Sequence, residues 1–172
     1  IKSNMNHKQF KVTVTRQLPE PVETRMKELF DVNLSNSPYP LKREKLLEIV
    51  QDCDVLVPTI GDKIDGNFIK ESGEKLKLIA NYGVGFDHID VLNATKRGIT
   101  VTNTPNVLTE DTADMAMALI LSLPRRIKEG VQKLADDAWD GWAPNALLGH
   151  RICGKRLGIL GMGRIGQAIA RR

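Results

Sequence analysis

The chain has 172 residues, enough for one ordinary domain or parts of two, and its 41% hydrophobic and 27% charged residues describe a globular composition. No apolar run reaches the length of a membrane span, Ile1-Lys2-Ser3-Asn4-Met5 lacks the apolar stretch of a secretory signal, and no basic stripe is interleaved with aromatics. Membrane insertion, secretion and nucleic-acid binding are therefore not expected. The net charge is +4, but residues 151–172 carry six basic residues and no acid, which leaves −2 (4 − 6) for the remainder. The positive charge is concentrated at one end of the chain, which reads equally as a basic stretch sampled by chance or as a field favouring an anionic cofactor there. Cys53 and Cys153 are far apart, no C-x-x-C occurs and the three histidines are scattered, so neither a metal site nor a disulfide framework is expected. Both thiols are expected to be small buried hydrophobes in a reducing cytoplasm. Met5 is the expected natural start, with the four residues before it an added extension.

In chain order, Phe10–Thr15 alternates and predicts a strand. Glu20–Phe30 follows Pro19, has Pro21 in its first turn, and carries Val22, Met26, Leu29 and Phe30 at helical spacing. A short strand is expected at Asp31–Leu34, a loop at Ser35–Pro40, and a helix over Leu41–Asp52 with Leu46, Leu47 and Val50 inward. Asp54–Pro58 predicts a strand, Ile64–Glu71 a short helix ended by Ser72-Gly73, and Leu76–Asn81 another strand. Val91–Lys96 predicts a helix closed by Gly98, and Ile99–Thr102 a strand. This regular alternation predicts an α/β fold, a flavodoxin-like doubly wound domain with a parallel sheet and helices on both faces.

Asn103-Thr104-Pro105-Asn106 breaks the pattern and is a candidate hinge. A long helix begins at Thr109 with Glu110 and Asp111 in its first turn. Its residues from Ala113 to Leu121 are apolar nearly all round, which predicts burial on several sides, between two domains. Pro124 kinks or restarts it, and Ala135–Gly149, with both tryptophans, is irregular. Arg156–Leu160 predicts a short buried strand, and Ile165–Arg172 the start of a helix.

Between those last two elements lies Gly161-Met162-Gly163-Arg164-Ile165-Gly166, a G-x-G-x-x-G in a strand–turn–helix context. Gly161 permits the sharp turn, Gly163 lets a pyrophosphate approach the backbone, and Gly166 lets helix and strand pack closely. The backbone N–H groups of Arg164 and Ile165 are the expected phosphate donors, with the Arg164 guanidinium adding a charge-assisted bond. This predicts dinucleotide binding and the beginning of a Rossmann coenzyme domain, with the substrate domain at 5–103 and the coenzyme part at 104–172. By contrast, Gly149–Arg156 only mimics a Walker A loop. Its last position, Arg156, has no hydroxyl for Mg²⁺, and it precedes its strand instead of following one.

Val84 and Gly85 follow the carboxyl end of a strand, where doubly wound folds place ligands. Gly83 and Gly85 permit a turn whose successive N–H groups form a small anion nest. Pro58-Thr59-Ile60 ends another strand and is a weaker candidate to close over a substrate. Asp87 and Asp90 read as helix caps and His88 as a packing residue, not as acid–base machinery.

Several stretches are familiar together: Asn81–Asp90, Lys96–Pro105, Thr109–Asp114 and Gly161–Gly166. Their order and spacing resemble the D-isomer-specific 2-hydroxyacid dehydrogenases over residues 10–172, closest to the glyoxylate/hydroxypyruvate reductases. Trp139-Asp140-Gly141-Trp142, with Pro144 after it, is similar to the paired-tryptophan loop of those reductases. The resemblance implies a cytoplasmic, homodimeric oxidoreductase, paired through the coenzyme domain, that reduces a small 2-keto acid with NAD or NADP. It implies substrate carboxylate binding by the backbone of Val84 and Gly85, cofactor contact by Thr112, and Trp142 reaching the neighbouring subunit's active site in a cleft between the domains. The arginine, glutamate and histidine of the family's chemistry lie beyond Arg172 in its pattern, so no catalytic residue is expected in this segment and the segment alone is expected to be inactive. The ribose-reading residue that separates NAD from NADP falls about twenty residues past the glycines, also beyond Arg172. The alternative is a dinucleotide-sensing, corepressor-like binding protein on the same scaffold.

Overall fold

Five short strands, each built around aliphatic residues, pair into one all-parallel sheet of order β2-β1-β3-β4-β5 in the computed structural model, which describes residues 10–172. The expected start at Met5 lies outside the described residues. The strands are β1 (Lys11–Val14), β2 (Asp31–Asn33), β3 (Val55–Val57), β4 (Leu78–Ala80) and β5 (Thr100–Thr102). Between them run α1 (Glu20–Leu29), α2 (Arg43–Val50), α3 (Gly66–Glu71) and α4 (Val91–Lys96). Val12 of β1 sits opposite both Val32 and Val55, so β1 lies between β2 and β3 and the order runs both ways from it. The reversal falls between β1 and β3, and ligands of doubly wound sheets bind beyond the carboxyl ends of the strands near such a point.

The core gathers Leu46 and Val50 from α2, Leu56 from β3, Phe68 and Ile69 from α3, and Ile79 from β4. Each such side chain contributes roughly 1.5–3 kcal/mol by leaving water. Cys53 belongs to this core, and burial pushes its thiol up to about 11, which makes it inert at neutral pH. Helix α3 starts at Gly66 and not at the expected Ile64, because Asp65 caps it by accepting from Phe68 N at 2.9 Å. That backbone hydrogen bond, and then Arg43, whose two guanidinium nitrogens each lie 3.1 Å from the carboxyl, hold Asp65 below the ordinary carboxylate range. Ile64 instead bridges to Ile89, with Ile64 N donating to His88 O at 2.9 Å.

On the surface, Asp52 accepts from Lys11 at 2.5 Å and Lys75 at 2.6 Å, and these hydrogen bonds lower its carboxyl to about 2. A carboxyl with a lowered folded-state pKa adds stability above its unfolded value of 3.8, and that contribution is lost as pH falls through about 2. Denaturant unfolding of the wild type is therefore expected to weaken across that acid window, and less steeply in Asp52→Asn. Equal pH slopes for the two proteins would contradict this. The effect is small at neutral pH because all three side chains are exposed.

The chain divides into two compact units, one ending at Val107 and one spanning Leu108–Arg172. Asn106, just before the division, has φ 68°, a left-handed value that asparagine tolerates. The second unit holds α5 (Thr109–Ser122), α6 (Ile127–Ala135) and α7 (Arg164–Arg171). Small residues let α5 and α7 approach, with Ala113, Gly166 and Ala168 buried, and Arg172 binds Asp114 at 2.6 Å and Glu110 at 2.9 Å.

Three expectations fail in this unit. Helix α5 is not buried on several sides: Met115, Leu119 and Leu121 are exposed, since α7 covers only one of its faces. Arg156–Leu160 is not a strand and not buried, because a strand needs a ladder partner and the unit contains none among the described residues; Leu160 is fully exposed. Cys153, in the turn before that stretch, is exposed and not buried as expected. Pro124 does restart the helix. α6 begins after Arg126 at φ 54°, and the irregular segment returns to Pro124, where His150 N donates to its carbonyl at 2.8 Å. No helix among the described residues is long and apolar enough to cross a membrane.

Candidate ligand-binding loops

The loop after β4 is defined by where its carbonyls go. Asn81 Nδ2 donates to Gly83 O at 3.1 Å and to Gly85 O at 2.8 Å. Asn103 Nδ2 donates to Val84 O at 2.8 Å, and Thr104 N to Gly83 O at 3.0 Å. Three successive carbonyls are thus engaged by the scaffold, while the Val84 and Gly85 amides donate to no group among the described residues. Neither Gly83 nor Gly85 has a positive φ. A Cβ on Gly83 would lie 3.2 Å from Ile60 Cγ2 and 3.4 Å from Asn81 Nδ2, a tight but not forbidden fit.

Ile60, beside Gly83, is 71% exposed on the loop after β3. That loop is fixed from below by Asp62, which is 2% exposed. Its Oδ2 accepts from Thr15 Oγ1 at 2.6 Å, Thr59 N at 2.8 Å and Thr59 Oγ1 at 3.3 Å, joining the carboxyl end of β1 to that of β3. Sequence reasoning missed Asn81, Asn103 and Asp62 as supports. The legible signals were an asparagine at a strand end just before Gly-x-Gly, and a threonine three residues before an aspartate.

Asp90 does cap α4, accepting from Asn93 N at 3.0 Å, but Asp87 makes no capping bond. His88 is more than a packing residue, as its Nε2 lies 3.0 Å from Asn81 Oδ1. Because the Asn81 amide nitrogen already faces two carbonyls, Oδ1 is the acceptor and His88 Nε2 carries the proton. Burial lowers the His88 pKa, so the ring is neutral at pH 7.

In the second unit the three glycines of the turn have three separate structural reasons. Gly161 has φ 98°. A Cβ on Gly166 would stand 2.1 Å from Gly161 O, so only glycine allows this approach of helix to turn. A Cβ on Gly163 would meet nothing, which leaves the backbone at the start of α7 open to a ligand. Gly163 is the N-cap and supplies no capping side chain, and the first turn closes with Gln167 N donating to Gly163 O at 2.9 Å. The Ile165 and Gly166 amides precede that bond and have no intrahelical acceptor. The turn therefore fits a pyrophosphate. Thr112 lies exposed in the first turns of α5, and its hydroxyl is no helix cap.

Trp142 is 83% exposed, and Gly141 beside it has φ 103°. Trp139 is held nearer the unit, with Lys133 Nζ 5.9 Å from its ring centre. The apolar face of α6, formed by Ile127, Val131 and Leu134, is also exposed among the described residues.

The family model of the D-isomer specific 2-hydroxyacid dehydrogenase catalytic domain matches residues 12–163. A glyoxylate reductase of Korarchaeum cryptofilum is 45% identical over 163 residues, covering 94% of this chain and 49% of the relative. A Thermus thermophilus protein of known structure superposes with a TM-score of 0.86 at 43% identity, over 94% of this chain and 51% of its own. An NADPH-dependent glyoxylate/hydroxypyruvate reductase from Sinorhizobium meliloti, solved with NADP and malonate, gives a TM-score of 0.73 at 31% identity, over 95% and 49%. The chain spans about half the length of the relatives it matches. With the family model matched across both units and the parallel sheet shared with solved relatives, the chain belongs to the D-isomer specific 2-hydroxyacid dehydrogenase family.

Proposed function

We propose that this chain supplies the acid-holding and pyrophosphate-holding parts of an NAD(P)-dependent reductase of small 2-keto acids of the glyoxylate/hydroxypyruvate type, giving glycolate from glyoxylate and the D-2-hydroxy acid from hydroxypyruvate. The observation that carries the reading is the pair of unengaged amides at Val84 and Gly85, at the carboxyl end of β4 in a sheet of this topology. A keto-acid carboxylate takes both as charge-assisted hydrogen bonds. Ile60, beside them, shields the bound acid from water. Gly161, Gly163, Arg164, Ile165 and Gly166 form the pyrophosphate turn, and the Thr112 hydroxyl contacts the cofactor. When bound, the nicotinamide supplies the hydride that reduces the keto carbon. The resemblance implies an arginine, a glutamate and a histidine that stabilise the alkoxide and supply the proton, none of them assigned in residues 1–172, so this segment alone is expected to turn nothing over. The likeness of this chain to glyoxylate reductases supports the substrate class; the relatives named above lend none to the corepressor reading.

The test is a panel of 2-keto acids with NADH and NADPH, using a polypeptide of the relatives' length that carries this sequence. Glyoxylate and hydroxypyruvate are expected to be the best substrates, and a preference for a bulky keto acid would overturn the assignment.

The enzyme pairs through its second unit and works in the cytoplasm. The exposed apolar face of α6 supports the first statement and the two free cysteines support the second. Trp142 then completes the partner's site. In a mixed dimer of Trp142→Ala with a subunit lacking the catalytic histidine, an in-trans tryptophan leaves one site intact, so about half the wild-type rate is expected. A dead mixed dimer would place the tryptophan in its own subunit's site.

A further inference from the structure

We propose that Asn81, backed by His88, is the positioning residue that keeps the Val84 and Gly85 amides available to a carboxylate; this deepens the reading of those amides as the acid's anchor and rests on it. A loop that offers N–H groups to an anion must keep its own carbonyl oxygens away, since they repel the anion and compete for donors. Asn81 does this from a fixed base. It is 2% exposed, and its backbone N donates to Thr102 O at 2.9 Å. Its one side-chain NH₂ holds Gly83 O and Gly85 O, on either side of the residue whose carbonyl Asn103 takes.

His88 sets the orientation of that amide. Its Nε2–H points at Asn81 Oδ1 over 3.0 Å, so a flipped amide would set donor against donor there and oxygen against oxygen at the loop. His88 is itself anchored, its carbonyl accepting from Ile64 N at 2.9 Å. The line of support runs from Ile64 through His88 and Asn81 to the loop, all within the first unit. Neither side chain touches substrate in this account.

Asn81→Asp keeps the shape but removes both donors and sets an acceptor against two carbonyls. In a polypeptide of the relatives' length that carries this sequence, it is expected to raise the KM for glyoxylate at least about tenfold, with kcat and the KM for the dinucleotide within about twofold. Asn81→Ser, which keeps one donor, gives an intermediate KM. His88→Leu raises KM about threefold by freeing the amide to rotate, and His88→Gln, which keeps a donor, restores it.

Val84→Pro is measured alongside. If it raises KM and Asn81→Asp and Asn81→Ser do not, the amides hold the acid and the positioning role is overturned. If Val84→Pro itself leaves KM unchanged, the reading of the amides fails, and this inference with it. Loss of thermal stability in the Asn81 variants with an unchanged KM marks a merely structural residue and also overturns the proposal. Should Asn81→Asp not fold, Asn81→Ser decides the matter by the same KM-against-kcat split.

Discussion

In a polypeptide of the relatives' length that carries this sequence, Val84→Pro is expected to raise the KM for glyoxylate about 10- to 150-fold, while Val84→Ala changes it little. The range follows from deleting one hydrogen bond to a charged group, worth about 1.5–3 kcal/mol. Proline removes the one atom that matters, the amide hydrogen, and keeps the Val84 carbonyl that Asn103 holds. The residue before it is Gly83, the type best able to accept the backbone restriction a following proline imposes. The valine side chain carries no polar atom, so its truncation leaves the proposed contact intact. Steady-state kinetics with saturating cofactor separate the two variants. A normal KM in the proline variant, or a large rise in the alanine variant, would move the acid's anchor elsewhere.

The second large effect concerns the glycine turn, where two substitutions of the same size have different consequences. Gly166→Ala puts a methyl group 2.1 Å from the Gly161 carbonyl, a backbone atom that cannot swing aside. It is expected to destabilise the second unit by about 1–3 kcal/mol and to weaken dinucleotide binding with it. Gly163→Ala meets no atom of the chain, and its extended backbone, φ −71° and ψ −167°, suits any residue. Its cost to folding is confined to a poorer N-cap, within about 1 kcal/mol. Yet it fills the space left open for a pyrophosphate in the proposed site at the start of α7, so NADH affinity is expected to fall about tenfold or more. Thermal unfolding and NADH titration on both variants check the contrast. An unchanged NADH affinity in Gly163→Ala would remove the turn from the cofactor site.

The first unit was legible in the sequence because it buries its elements against one another. Alternating β-branched runs such as Lys11–Val14, and stripes such as Leu46 and Val50, report a core that the same segment supplies. The second unit was less so. Arg156–Leu160 has the composition of a buried strand, and α5 that of a buried helix, but composition states what a segment can bury and not what is present to bury it. The candidate site divides in the same way. Val84, Gly85 and the three turn glycines stand out because glycine and strand-end position carry local meaning. Asn81 and Asp62 stand out far less, because an asparagine or aspartate beside a strand end has nearly the same local pattern whether it faces water or holds a loop from beneath. Their roles rest on bonds to residues that only the fold brings near, Asn81 to His88 and Asp62 to Thr15.

The most direct test of the account is an amide chemical-shift titration of this 172-residue chain with glyoxylate and, separately, with NADH. The account predicts that glyoxylate moves the Val84 and Gly85 amides first, that NADH moves Gly163, Ile165 and Gly166, and that the two together give no turnover. Glyoxylate shifts that avoid Val84 and Gly85, or NADH shifts that avoid the Gly161–Gly166 turn, would contradict it.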